Sequence, residues 1–69
     1  MSEILITLNG EQLPIEGKID LETLVGQLEL PAKRLAVEMN GIVVRRANWP
    51  QTPVNDGDRI EVVHFVGGG

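Results

Sequence analysis

The residues that could do chemistry in this 69-residue chain are few. It has no cysteine, one histidine, His64, and one serine, Ser2. A Ser-His-Asp or Cys-His arrangement therefore has nothing to be built from except Ser2, close to the start of the chain. A metal site would need His64 with carboxylates. The nearest of these, Glu61, lies at an odd offset and so on the other face of a strand. No GxGxxG or phosphate-loop motif is present. Asp56 and Asp58 flank Gly57 and read as turn residues rather than metal ligands. His64 reads as a partly exposed structural or partner-contact residue, and Arg45-Arg46 as a solvated basic corner able to meet acidic groups on a partner. With no catalytic residue and no metal ligand to name, the chain does not read as an enzyme.

The end of the chain has a chemistry of its own. Gly67-Gly68-Gly69 follows a strongly β-forming segment. Three residues without side chains can thread a narrow channel with the carboxylate leading. Extended, the stretch from Phe65 to Gly69 spans roughly 13–14 Å, enough to enter another protein's active site while the folded body stays outside. A carboxylate is a poor electrophile until adenylation by ATP supplies a leaving group. A sulfur donor can then convert it to a thiocarboxylate, a soft nucleophile, so a chain without cysteine can still carry sulfur.

The elements that must hold such a tail can be read from periodicity. Ile4, Ile6 and Leu8 alternate with Leu5 and Thr7, a strand. Asn9-Gly10 predicts a tight hairpin into Gln12, Leu13 and Ile15, and Pro14 puts the second strand at a sheet edge. Gly17 to Ile19 reads as a loop and Asp20 as a helix cap. Leu21, Leu24, Val25 and Leu28 fall at helical spacing. Gly26 weakens that helix slightly, and Leu30-Pro31 is expected to end it. Leu35, Val37 and Met39 form a third strand, with Asn40-Gly41 turning into Ile42-Val43-Val44. Arg45 to Pro53 reads as irregular, Asn55-Asp56-Gly57-Asp58 as a turn, and Arg59 to Val66 as the last strand. One helix against a mixed sheet is a two-layer α+β design, its stripe packing on Ile4, Ile6, Val37, Ile60 and Val62. Parity puts Leu5, Ala36, Val63 and Phe65 on the sheet face away from the helix, where an exposed apolar patch would suit partner docking.

Composition narrows the classes further. With 42% apolar and 23% charged residues the chain is globular rather than disordered, and its length allows one domain with one thin core. Ten acids against six bases give a net charge of −4, with one Trp and one Phe. Nucleic-acid binding calls for the opposite balance and more stacking rings, so a basic protein partner suits it better. The apolar run Ile4 to Leu8 is too short for a membrane span or a signal peptide. Together with the lack of disulfides, this gives a cytoplasmic reading.

Asp56-Gly57-Asp58-Arg59-Ile60, followed by Val62-Val63-His64-Phe65-Val66-Gly67-Gly68-Gly69, resembles the ending of the ThiS-type sulfur carriers of thiamin biosynthesis. Met39-Asn40-Gly41-Ile42-Val43-Val44-Arg45 and Trp49 resemble the middle of that family, so the likeness covers nearly the whole chain. The resemblance implies a ubiquitin-like β-grasp domain over 1–66, a mixed sheet packed on one main helix, with a flexible glycine tail over 67–69. It implies that Gly69 is the adenylation and thiocarboxylate site and that Gly67 and Gly68 thread a partner's active site. It also implies partners: an adenylating enzyme of the ThiF type that consumes ATP and magnesium, a cysteine desulfurase acting indirectly, and thiazole synthase as acceptor. Partner binding would use Phe65, Val63, Leu5 and Ala36. Alternatives are a carrier for molybdopterin or another thiolation pathway, a ubiquitin-like conjugating tag, and a plain interaction module.

Overall fold

The structure, a computed structural model, describes residues 3–30 and 35–64. In chain order the elements are β1 (Glu3–Leu8), β2 (Glu11–Glu16), β3 (Ile19–Asp20), α1 (Leu21–Gln27), β4 (Leu35–Met39), β5 (Ile42–Val44), a 3-10 helix (Arg46–Gln51), β6 (Pro53–Val54) and β7 (Arg59–His64). Five strands form one mixed sheet in the order β2-β1-β7-β4-β5, with β7 parallel to β1 and antiparallel to β4. This is the β-grasp arrangement that the resemblance implied.

Both Asn-Gly pairs turn as expected. Asn9 and Gly10 have φ of 51° and 85°, and Asn40 and Gly41 have 54° and 86°. Two consecutive positive φ values are what a two-residue hairpin loop needs for its twist to match the strands. Pro14 sits opposite Leu5 on edge strand β2. The Leu5 N–H donates to Asp56 Oδ1 and its C=O accepts from the Gly57 N–H, both at 2.8 Å. Leu5 thus points its backbone groups away from β2, and the missing donor of Pro14 costs nothing.

Asp20 caps α1: its Oδ1 accepts the Thr23 N–H at 2.7 Å. Leu21, Leu24 and Val25 are buried and Leu28 half-buried, the predicted stripe. The helix stops earlier than Leu30-Pro31, at Gln27. The Leu28 and Glu29 N–H groups bond back three residues, to Val25 O at 3.1 Å and Gly26 O at 3.3 Å, and Glu29 takes φ 56°. That tightened last turn and left-handed residue end the helix without proline's help. Pro31 lies outside the described residues.

Two segments read as irregular are ordered by distant partners. Ile19 is not loop: Ile19–Asp20 pairs antiparallel with Pro53–Val54 in a separate two-stranded sheet. The stretch after Arg45 forms the 3-10 helix, which buries Trp49 against the core. The indole N–H donates to Val44 O at 3.0 Å, and the Arg46 guanidinium carbon lies 5.4 Å from the ring centroid, a cation–π contact. The Leu21 N–H donates to Thr52 O at 2.9 Å, tying the helix start to this segment. Of the expected core, Ile6, Val37, Ile60 and Val62 are buried and Ile4 packs half-buried at its margin; Leu35, Trp49 and Val54 complete it.

Gly26 is exposed on α1, and a Cβ placed there meets nothing within 4 Å. Gly26→Ala should therefore stabilise the domain by about 0.5–1 kcal/mol, a rise in melting temperature of several degrees that calorimetry would detect. Leu24→Ala, at a fully buried position, should cost about 2–5 kcal/mol. In a domain this small that leaves a large unfolded fraction, measurable by urea titration.

Candidate functional site at the end of the central strand

Strand β7 is the last described element before the glycines in sequence. On one side Thr7 N–H donates to Asp58 O and Asn9 N–H to Ile60 O, each at 2.9 Å. There β1 turns away. The next amide, Val62 N–H, is taken by the Asn9 side chain, whose Oδ1 accepts it at 2.8 Å. On the other side, Asn40 Oδ1 accepts the Arg59 N–H at 2.9 Å, Asn40 Nδ2–H donates to Asp58 Oδ1 at 3.0 Å, and Asn40 N–H donates to Arg59 O at 2.7 Å. Each hairpin asparagine therefore both tolerates the turn and grips β7. Beyond Val62 the strand outruns β1 and is paired only with β4, Val63 with Ala36 and His64 with Leu35.

The predicted docking residues divide. Val63 and Ala36 are direct partners on the outer sheet face, Val63 being 52% exposed. Leu5, 43% exposed, faces the same way but lies two residues before the Thr7–Arg59 pair on β1, whereas Val63 lies four residues after it on β7. At about 3.3 Å per residue that separates them by about 20 Å along the strands. Phe65, Gly67, Gly68 and Gly69 lie outside the described residues. The residue that joins Val63 and Ala36 is Val43, 64% exposed; with Glu38 and Glu61 these three line a depression of about 110 Å³. Val43 was legible from sequence in one way: a two-residue Asn-Gly loop fixes the hairpin register and puts Val43 opposite the outward Glu38.

The other candidates take structural places. Asp56 Oδ1 holds the Leu5 amide, and Asp58 Oδ2 accepts the Asn55 N–H at 2.8 Å, so both act in the turn. Gly57 supplies the turn's positive φ of 86°. His64, Arg45 and Arg46 are exposed. Among the described residues no group of three or more His, Cys, Asp or Glu side chains converges on a metal position, and no helix is long and apolar enough to cross a membrane. A concavity of about 470 Å³ lies by the small β3–β6 sheet and gathers none of the predicted site residues.

The fold and the site define a ubiquitin-like β-grasp domain, with one sheet face covered by the helix and an apolar and acidic strip open on the other. Known proteins narrow the class. The ThiS family model matches residues 6–69. The sulfur carrier protein ThiS of Thermus thermophilus is 35% identical over 65 residues, which cover 94% of this chain and 100% of that one. The crystal structure of the thiamine biosynthesis protein ThiS from Geobacter metallireducens has a TM-score of 0.85 at 33% identity, covering 96% of this chain and 100% of that one. A thiazole synthase of Paramagnetospirillum magneticum is 38% identical over 64 residues, but the chain spans only 20% of that protein's length. The chain belongs to the ThiS family, the sulfur carriers of thiamin biosynthesis. Its class is that of a carrier, not an enzyme.

Asn9→Gly keeps a residue at ease with positive φ but removes the acceptor for Val62. It should cost about 1 kcal/mol and speed hydrogen exchange at the Val62 amide more than at Ile60, as read by NMR.

Proposed function

We propose that Gly69 carries sulfur as a C-terminal thiocarboxylate for thiazole formation in thiamin biosynthesis. The observation that carries the reading is the family match, which runs through residue 69 and so takes in the glycine tail that follows β7. In the first step the Gly69 carboxylate attacks the α-phosphorus of ATP and expels pyrophosphate. A ThiF-type adenylating enzyme performs this step with magnesium. A persulfide supplied through a cysteine desulfurase then attacks the acyl carbon and expels AMP. A thiol cleaves the resulting acyl disulfide, leaves as the oxidised partner, and releases the thiocarboxylate.

Gly67 and Gly68 have no side chains to obstruct the partner's channel. The body docks by the outer sheet face, with Val63 and Ala36 nearest the tail, Phe65 continuing from them in sequence, and Leu5 as a separate contact. Thiazole synthase is the acceptor: a stretch similar to this chain forms 20% of two proteins of that name, from Paramagnetospirillum magneticum and Magnetococcus marinus. The setting is cytoplasmic, where ATP and a reducing thiol pool coexist.

Intact mass spectrometry of the protein from its native host, with the C-terminal peptide fragmented, tests the reading. The expected result is an oxygen-to-sulfur mass gain on Gly69, reproduced with purified chain, ATP, the ThiF-type enzyme and a sulfide source. A chain that continues past Gly69, or a terminus that stays unmodified in the reconstituted reaction, overturns it.

A further inference from the structure

The outer sheet face carries a like-charge pair that the fold does not need. Glu38 on β4 and Glu61 on β7 are direct register partners, and both are exposed. Like charges opposite one another destabilise a sheet, and their Cβ atoms stand about 5 Å apart. With Ala36, Val43 and Val63 the two glutamates line a depression of about 110 Å³. Small-molecule pockets run about 300–1,000 Å³, so this one suits a single side chain. Among the described residues, the neighbouring cations lie elsewhere. Arg59, the next outward residue of β7, lines a different depression with Asn40, Gly41 and Gly57. Arg45, just after β5, is exposed and takes no part in the wall.

We propose that this depression receives one arginine of the enzyme that adenylates the tail, an inference that rests on the carrier reading above. Its methylene stem lies on Val43 and Val63, and its guanidinium sits between Glu38 and Glu61. Arginine is favoured over lysine because a planar fork with five donors can bond two carboxylates at once, whereas an ammonium is a compact, strongly hydrated point charge. The stem is apolar enough to cover the valines. The net charge of −4 adds long-range attraction to a basic partner. The repulsion that Glu38 and Glu61 impose on the free chain is relieved only in the complex.

This predicts opposite signs for stability and for recognition, which a merely structural role would not give. The experiment is ATP–pyrophosphate exchange by the host's ThiF-type enzyme, with the full chain as varied substrate at several salt concentrations. The combined Glu38→Gln and Glu61→Gln variant should raise KM about tenfold with kcat unchanged, because the contact is equal in ground and transition states. Its salt dependence should flatten, and its melting temperature should rise. The control is Glu3→Gln with Glu16→Gln, the same charge change across the other outward pair, on β1 and β2, which should leave KM near wild type. Wild-type KM and salt response in the Glu38/Glu61 variant, or an equal KM shift in the control, overturns the arginine site while leaving the carrier reading intact. No exchange with the wild-type chain overturns the carrier reading, and this inference with it.

Discussion

Strand β7 hydrogen-bonds to β1 on one side and β4 on the other, and both neighbours are the inner strands of hairpins. The core and the open face are both arranged around that double pairing. It puts Ile60 and Val62 at the centre of the core and Glu61 and Val63 at the centre of the open face. The hairpin turns do more than reverse the chain. Asn9 and Asn40 each place a side-chain oxygen on a β7 amide that backbone pairing alone would leave free. Buried or shielded amides without partners are costly, so the turn residues and the central strand depend on each other.

Among the described residues, the sheet is covered on one face only. The helix stripe, with Trp49 from the 3-10 segment, seals the inner face, and the outer face carries Glu38, Val43, Glu61 and Val63 in the open beside a half-buried Ala36. Mixed and antiparallel sheets tolerate a solvated face in a way that parallel sheets do not. The open face is the one on which the docking proposed above takes place. The 3-10 helix adds one large buried side chain, Trp49, to this thin core.

Sequence reading located most elements because their signals are local. Asn-Gly at 9–10 and 40–41 imposes positive φ, Asp20 caps α1, and the stripe of Leu21, Leu24 and Val25 points one way. The stretch from Ile19 to Val54 showed where such signals end. Ile19–Asp20 becomes strand only because Pro53–Val54 lies beside it. Trp49 becomes core only because α1 and Val44 meet it. The helix end was missed because Glu29 enters a left-handed conformation that its residue type does not announce. In the site, parity assigned the faces of Leu5, Ala36 and Val63 correctly, but parity carries no distance, so one patch became two places on the sheet.

By itself the sequence determined the chemistry available and the local geometry. No cysteine is present and Ser2 is the one serine, three glycines follow a strand, two turns are written in Asn-Gly, and one helix stripe calls for one sheet. Only the tertiary structure decided which strands are neighbours, and so that Val63 meets Ala36 while Leu5 lies about 20 Å away. It alone placed Glu38 opposite Glu61. Pairing between β4 and β7 joins residues far apart along the chain. Its register is set by the packing of Val37 and Val62 on the shared core, and no local pattern encodes that.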